Sequence, residues 1–333
     1  MICEHEDKVF SVEKDGFQNL ALELFRFQYL HNPVYQQYAK TIGIVGPQVQ
    51  RLEDIPFLPV DFFKTHTVGT GFEPEAVFES SGTTQTVNSR HFVKHLDLYR
   101  RSFLSCWQQF YGPVQDWCII GLLPSYLERK NSSLVVMVDE LVRQTHHPQS
   151  GFYLYEHEKL ADTLRQLESA GQKTLLIGVT FALLDFAEKF PTPLHHTTIM
   201  ETGGMKGRRK EMTRPEVHDL LRQAFRIKTV HSEYGMTELL SQAYSTHDGI
   251  FQTPSWMKVL VRQEDDPFDV RQQGSGMINV IDLANMYSCP FIATDDIGKL
   301  YADGSFEVQG RSDSSDIRGC SLMVADVAIF NKR

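Results

Sequence analysis

Residues 76–86 read Ala-Val-Phe-Glu-Ser-Ser-Gly-Thr-Thr-Gln-Thr. The apolar segment Ala76-Val77-Phe78 is typical of a short strand, and it leads into a loop that holds five hydroxyl side chains and a glycine within eight residues. Gly82 tolerates a positive φ, which lets several backbone N–H groups turn toward one point. Such a loop suits a polyphosphate, although Ser/Thr/Gly loops are also common turns. A Walker P-loop is excluded, because no Gly-Lys-Ser/Thr follows and the nearest downstream base is Arg90.

The chain around this loop alternates between helix-like and strand-like segments. Apolar spacing predicts helices over 17–41 with a break at His31-Asn32-Pro33, 94–111, 132–143, 157–170, 180–189 and 214–225. Short apolar runs predict strands at 117–122, 174–177, 197–200 and 228–230. This alternation predicts an α/β fold with a mainly parallel sheet covered by helices. From about residue 250, short strands separated by Gly and Asp turns predict a mostly antiparallel β-rich subdomain.

Composition narrows the function classes. The chain has 333 residues, 41% of them hydrophobic, so it can bury the core of one large domain or two. Its net charge of −9 argues against a nucleic-acid partner, and no apolar run approaches the ~18 residues of a membrane span. Five cysteines are scattered without CxxC spacing, which indicates neither a disulfide framework nor a zinc site. We therefore expect a reduced, cytoplasmic protein.

Four polar segments follow predicted strand ends, where open α/β sheets bind ligands. They are Ser80–Thr84, Thr202-Gly203-Gly204, the run from Ser232 to Glu238, and Thr294-Asp295-Asp296. Together they offer a phosphate loop, a flat glycine surface, an aromatic ring with a hydroxyl and a carboxylate, and an acidic pair for ribose hydroxyls. Each one alone also fits a turn, a core aromatic or a solvated charge. In this order they predict a nucleoside triphosphate site with a magnesium ligand.

These motifs resemble those of a known superfamily. The ordered set is similar to the adenylate-forming acyl- and aryl-CoA ligases, and closely to their phenylacetate–CoA ligase branch. It consists of Ser80-Ser81-Gly82-Thr83-Thr84, Tyr234-Gly235-Met236-Thr237-Glu238, Thr294-Asp295-Asp296, Gly310-Arg311-Ser312-Asp313 and Ile317-Arg318-Gly319. In length and ending the chain resembles the LuxE-type acyl-protein synthetases. They share the lead Ile55-Pro56-Phe57-Leu58-Pro59, a Thr-Gly-Gly element and a Gly-Cys near the C-terminus, and the resemblance covers roughly residues 25–325.

The resemblance implies a domain plan. An adenylate-forming large domain would span 1–310, divided into a helical lead-in (1–75), an α/β core (76–249) and a β-rich subdomain (250–310). A short tail, 311–333, would carry Cys320. The C-terminal lid domain of the CoA ligases is expected to be absent, and with it the lysine that contacts the reacting carboxylate.

Two departures from the superfamily pattern bear on activity. Gln85 stands where relatives usually have glycine, and the lysine common shortly after it is missing. Without the lid lysine, adenylation would be slow, would use a base such as Lys206 or Lys299, or would be lost.

Site roles also follow from the resemblance. Ser80, Ser81, Gly82, Thr83 and Thr84 would hold the β- and γ-phosphates of ATP. Gly203 and Gly204 would line the adenine pocket, and Tyr234, followed by Gly235, would stack on the base. Thr237 would bind the α-phosphate and Glu238 would hold Mg²⁺. Asp296, assisted by Arg311, would accept from the ribose hydroxyls.

The resulting expectation is an ATP-dependent acid–thiol ligase. ATP would activate a carboxylic acid, expected to be a fatty acid, as acyl-AMP, and the acyl group would pass to Cys320 or to a carrier. An acyl carrier, a reductase or a thioesterase would be the partner protein. Arg318 lies near Cys320 and would lower the pKa of its thiol, although a buried structural cysteine is the alternative. A CoA ligase and a nucleotide-binding subunit without turnover are the competing functions.

Overall fold

The computed structural model describes residues 2–80, 87–123, 131–203 and 212–312. Its helices are α1 (Ile2–Phe10), α2 (Phe17–His31), α3 (Pro33–Thr41), α4 (Phe62–Thr65), α5 (Leu96–Tyr111), α6 (Ser133–Thr145), α7 (His157–Ser169), α8 (Thr180–Lys189) and α9 (Arg214–Phe225). Its strands are β1 (Leu58–Pro59), β2 (Ala76–Glu79), β3 (Arg90–Val93), β4 (Cys118–Leu122), β5 (Gly151–Phe152), β6 (Thr174–Val179), β7 (Thr197–Thr202), β8 (His231–Tyr234), β9 (Ala243–Ser245), β10 (Ile250–Phe251), β11 (Met257–Arg262), β12 (Val270–Arg271), β13 (Gly274–Asp282), β14 (Phe291–Leu300) and β15 (Phe306–Arg311).

The first sheet has the strand order β5-β4-β6-β7-β8-β9. All pairs from β5 to β8 are parallel, and only β9 runs antiparallel to its neighbour. Every residue of β4 and β6 is buried, as expected for parallel strands with helices on both faces. The predicted α/β class with parallel strands and covering helices is confirmed.

The second sheet has the order β10-β15-β14-β13-β11-β12 and is antiparallel along this path. One early segment joins it: β1 pairs in parallel with β14, so that Leu58 faces Ile292 and Pro59 faces Ala293. Pro59 suits this position because β1 is two residues long and lies off the main path, where a missing N–H donor costs little. This pairing places the chain that leads into α4 beside the first residues of β14.

Local sequence signals explain several element boundaries. Thr213 and Glu216 form a capping box at the start of α9, and a proline stands in its first turn. Ser132 caps α6 by accepting from the N–H of Val135 at 3.4 Å. Among the described residues, no helix is both long and apolar enough to cross a bilayer.

Two of the strand predictions were wrong in position. The strand expected at 228–230 lies at His231–Tyr234, because Arg226 ends α9 in the left-handed region (φ 52°) and pairing with β7 begins only where His231 faces Met200. Thr294-Asp295-Asp296 does not follow a strand end but lies inside β14, which continues to Leu300 between two partner strands.

The hairpin that leads to the hydroxyl-rich loop stands apart from both sheets. β2 and β3 pair only with each other among the described strands, with Glu79 facing Arg90. Ser80 directly follows β2, as expected, but the loop therefore does not extend from the parallel sheet.

Candidate active site

The carboxyl ends of β7 and β8 lie side by side. Thr202 faces Glu233 in the parallel register, so the next residues along the two strands, Gly203 and Tyr234, lie at the same edge. Gly203 has a φ of 74°, which an L side chain rarely adopts. Its carbonyl accepts a hydrogen bond from the Thr180 hydroxyl at 2.6 Å. The glycine is exposed, so this edge leaves open backbone where a flat group could approach.

The acidic pair lies on a bulge of β14. Met277 faces Ile297 and Asn279 faces Ala293, so Ile278 alone stands opposite the three residues Thr294–Asp296. Bulges of this kind redirect side chains and are frequent beside active sites.

The backbone groups of this bulge are satisfied locally. Arg262 donates to the Thr294 carbonyl at 2.8 Å, and the Thr294 hydroxyl accepts from the N–H of Asp296 at 3.1 Å and donates to the Ile278 carbonyl at 2.8 Å. The bulge is therefore a fixed feature that sets the direction of Asp295 and Asp296.

Tyr234, Asp296 and Arg311 form one connected group. The Tyr234 hydroxyl donates to Oδ2 of Asp296 at 2.8 Å, and Nε of Arg311 donates to Oδ1 at 2.8 Å. Asp296 is 5% exposed and Tyr234 is 8% exposed. The Tyr234 ring also packs edge-on against Phe306, with centroids 5.5 Å apart. Residues from three separate sequence motifs thus meet across the two sheets.

Ser89 joins the β2–β3 hairpin to Glu238. The N–H of Ser89 donates to the Ser80 hydroxyl oxygen at 2.9 Å, and the Ser89 carbonyl accepts from the N–H of Ser80 at 3.1 Å. The Ser89 hydroxyl interacts with the carboxylate of Glu238, which is 4% exposed. The start of the expected phosphate loop and the expected magnesium ligand therefore lie close together.

Several predicted site residues fall outside the described part of the chain. They are Ser81, Gly82, Thr83, Thr84, Gly204, Lys206 and Cys320. The described members are Ser80, Gly203, Tyr234, Gly235, Thr237, Glu238, Asp296 and Arg311. The contacts around Asp296 and those around Ser89 connect most of these described residues. The roles of the residues toward ATP stay predictions.

Comparison with known proteins decides the family. The family model "Acyl-protein synthetase, LuxE" matches residues 10–328. The chain belongs to the LuxE acyl-protein synthetase family. A curated relative from Vibrio harveyi, named as a long-chain-fatty-acid–luciferin-component ligase, is 22% identical over 94% of this chain and 88% of that protein.

Solved structures of adenylate-forming ligases share the fold of this chain. The 2-hydroxyisobutyryl-CoA ligase in complex with 2-HIB-AMP and CoA, in an open conformation, has a TM-score of 0.65 at 14% identity, over 89% of this chain and 70% of that one. ATP-bound MatB from Rhodopseudomonas palustris has a TM-score of 0.55 at 18% identity, over 72% of this chain. The match spans 49% of the MatB chain.

An ion pair between the buried Glu201 and the partly exposed Arg214 lies close to the glycine edge. Glu201 accepts from Nε of Arg214 at 3.0 Å, and Arg214 also donates to the Val308 carbonyl at 2.9 Å, which ties the parallel sheet to β15. Burial alone would raise the pKa of Glu201, but Arg214 together with His218 and Ser232 holds it at about 2. Glu201 is therefore ionised at neutral pH.

Glu233 behaves in the opposite way. Burial raises the pKa of its carboxyl to about 7, the charge of Glu201 adds to the rise, and a hydrogen bond from the Thr202 hydroxyl opposes it. Tyr234, the next residue, carries the ring that is expected to stack on the adenine base. This carboxyl was not singled out from the sequence, because its burial depends on the position of β8.

Lys64 is the cation that the sequence did not reveal. Its ammonium pairs with Asp61 at 2.7 Å and is only partly exposed. Burial raises the pKa values of Glu238 and Asp295, and the charge of Lys64 has a smaller effect that lowers both, so its ammonium lies in the same part of the molecule. The pairing of β1 with β14 brings α4 to this region. Lys299, one of the two bases considered from the sequence, is exposed and stands over the Tyr301 ring, 4.9 Å from its centroid.

Glu238 fits a magnesium ion that arrives with a nucleotide. Mg²⁺ is usually held by one or two carboxylates together with substrate phosphates. Across the described ranges, no group of three or more His, Cys, Asp or Glu side chains could hold a metal ion. Burial raises the pKa of Glu238, and a bound cation would favour its ionised form. Mg²⁺ at Glu238 would take its further ligands from the phosphates of a bound nucleotide.

Proposed function

We propose that this chain uses ATP to activate a carboxylic acid as acyl-AMP and then passes the acyl group to a thiol, either Cys320 or a carrier. Membership of the LuxE acyl-protein synthetase family carries this proposal. The name of the Vibrio harveyi relative, a ligase of long-chain fatty acids, supports a fatty acid as the substrate. The group around Asp296 supports the position of the nucleotide.

Asp296 retains the capacity to bind ribose hydroxyls. Each of its carboxylate oxygens accepts one hydrogen bond, from Tyr234 and from Arg311 respectively. An ionised carboxylate offers about four lone-pair positions, so each oxygen can accept one more donor. Burial and the ion pair with Arg311 hold the carboxylate in one orientation. Adenine would then lie between Tyr234 and the open backbone of Gly203.

The first step is a displacement at the α-phosphorus. A carboxylate oxygen of the acid forms a bond to this phosphorus, and the bond to the bridging oxygen of the β-phosphate breaks, so pyrophosphate leaves with the electron pair. Lys64 and Arg311 would offset the negative charge that the acid and the phosphates bring together. Mg²⁺ held by Glu238 would neutralise charge on the departing pyrophosphate. Positioning and electrostatics supply the catalysis in such a step.

The second step needs an accessible thiol. The thiolate attacks the acyl carbonyl carbon, the bond to the AMP oxygen breaks, and AMP leaves. Cys106, Cys118 and Cys289 are free and fully buried. Burial raises the pKa of all three thiols, that of Cys289 to about 12. None of these three suits the role of acceptor, which supports Cys320 or an external thiol.

Incubation with ATP, Mg²⁺ and a labelled fatty acid tests the proposal. Wild-type protein and Cys3→Ser, the matched control, should acquire label that hydroxylamine removes, and Cys320→Ser should not. Label that persists in Cys320→Ser and disappears in Cys3→Ser would move the acceptor to Cys3. In a parallel incubation that also contains CoA, formation of acyl-CoA at an undiminished rate in Cys320→Ser would identify a CoA ligase. If neither acyl-AMP nor labelled protein forms with any acid, the proposal is wrong.

A further inference from the structure

His91 lies at the centre of the contacts that hold the Thr237–Glu238 segment. It belongs to β3, has no exposed surface, and packs edge-on against Phe63 with ring centroids 5.8 Å apart. Nδ1 of the ring is 2.8 Å from the Thr237 carbonyl oxygen, and Nε2 is 2.9 Å from Oδ1 of Asn285. A buried imidazole thus connects the hairpin below the hydroxyl-rich loop to the segment with the expected phosphate and magnesium ligands.

Asn285 extends this connection to the next carbonyl. Its amide nitrogen donates to the carbonyl oxygen of Glu238 at 2.7 Å and to that of Cys289 at 3.0 Å. Because the nitrogen is used in this way, the side-chain oxygen faces His91. The carbonyl of Thr237 is therefore held by His91 directly, and that of Glu238 is held through Asn285.

Hydrogen-bond chemistry limits the neutral ring of His91 to one of these two contacts as a donor. Both partners of the ring are acceptors, so only an imidazolium could donate to both. Burial lowers the pKa of His91 to about 4, so the ring is neutral at pH 7 and donates from one nitrogen. Asn285 stays anchored by its two other bonds. Within the described part of the chain, the partly buried Thr237 carbonyl has no other hydrogen-bond donor. A proton on Nδ1 makes this contact a hydrogen bond and leaves Nε2 beside Oδ1 of Asn285.

We propose that His91 is a positioning residue for adenylate formation: by donating from Nδ1 to the Thr237 carbonyl, it fixes the backbone that carries Thr237 and Glu238. This inference rests on the proposed function for its effect on catalysis. The contact itself, with the rigidity that it confers on residues 236–240, is independent of what the site binds.

Three substitutions separate positioning from packing. The amide nitrogen of Asn stands one bond beyond Cγ, as Nδ1 does, whereas that of Gln stands two bonds beyond Cγ, as Nε2 does. His91→Asn should therefore keep the bond to Thr237, His91→Gln should keep only the contact to Asn285, and His91→Phe should keep only the ring. His195→Asn is the matched control, because this exposed histidine precedes β7 at the end away from Thr202.

Two measurements decide the outcome. In ATP–pyrophosphate exchange, kcat should fall on the order of 10- to 100-fold in His91→Phe and His91→Gln, with KM for ATP little changed, because a small misplacement of catalytic groups has effects of this size. His91→Asn should retain most of kcat. In hydrogen–deuterium exchange, amides of residues 236–240 should lose protection in His91→Phe and His91→Gln but not in His91→Asn or His195→Asn.

A negative result in pyrophosphate exchange and a negative result in amide protection lead to different conclusions. If the wild type shows no exchange with pyrophosphate, the proposed function is wrong, and amide protection still tests the positioning role. If His91→Phe does not fold, the comparison between His91→Asn and His91→Gln remains decisive. Equal protection and equal kcat in these two variants would overturn the inference.

Discussion

Replacement of Glu233 by glutamine should stabilise the protein at alkaline pH. Burial raises the pKa of this carboxyl from its ordinary value of 4.5 to about 7. A raised pKa means that the folded state favours the protonated form. The stability from this group is therefore fully present below pH 4.5, declines as the pH rises, and is lost once the pH exceeds 7.

The size of the effect follows from the shift. One pKa unit corresponds to about 1.4 kcal/mol, so the ionised carboxyl costs the folded state about 3 kcal/mol at pH 8. At pH 5.5 the folded state is still protonated, and the cost is about 1 kcal/mol. Glu233→Gln keeps an oxygen that can accept from the Thr202 hydroxyl and does not titrate. The free energy of unfolding of Glu233→Gln, relative to that of wild type, should therefore increase by about 2 kcal/mol between pH 5.5 and pH 8.

Urea unfolding of both proteins at these two pH values measures the difference. Glu73→Gln is the matched control, since Glu73 is exposed and its replacement should leave the pH dependence unchanged. The reasoning would be refuted if Glu233→Gln and wild type lost stability in parallel from pH 5.5 to pH 8. It would also be refuted if the variant were destabilised more at pH 8 than at pH 5.5.

Two further substitutions test the charges around the nucleotide. Lys64→Met should lower kcat for adenylate formation on the order of 100-fold with KM for ATP little changed, because in the proposed mechanism it removes a cation near the developing negative charge. Lys40→Met, on the exposed surface of α3, should have no effect, and equal rates in the two variants would exclude Lys64. Asp296→Asn should instead raise KM for ATP roughly tenfold with a smaller change in kcat, since a charged hydrogen bond to the ribose becomes neutral. A kcat loss without a KM change in Asp296→Asn would contradict its assignment to ribose.

Local patterns in the sequence identified most of the helices and the parallel strands. Helical spacing placed α9 at the residues where it is found, and a uniformly apolar run placed β4 within a residue of its position. These signals are local: capping residues and apolar periodicity are set by neighbours in sequence. The strand β8 was placed three residues too early, because its start depends on where β7 offers a partner.

The arrangement of the site depends on contacts between residues that are distant in sequence, which local sequence patterns do not predict. The resemblance of motifs indicated Tyr234, Asp296 and Arg311, but their meeting depends on a bulge in β14 whose extra residues appear only against the register of β13. Lys64 reaches the site because β1, a two-residue strand, joins β14 from more than 200 residues away in sequence. His91 and Asn285 are likewise distant in sequence and joined only by the fold.

The central claim is that this site forms an acyl adenylate. ATP–pyrophosphate exchange measures that step directly. The assay would be run over a set of fatty and aromatic acids with wild type and with Glu238→Gln. Equal midpoints of urea unfolding would establish that both proteins are folded. We predict exchange in the wild type that depends on both Mg²⁺ and a fatty acid, and a decrease of at least about tenfold in Glu238→Gln, because a buried ligand of the metal is lost. Absence of exchange with every acid in the folded wild type would contradict the account.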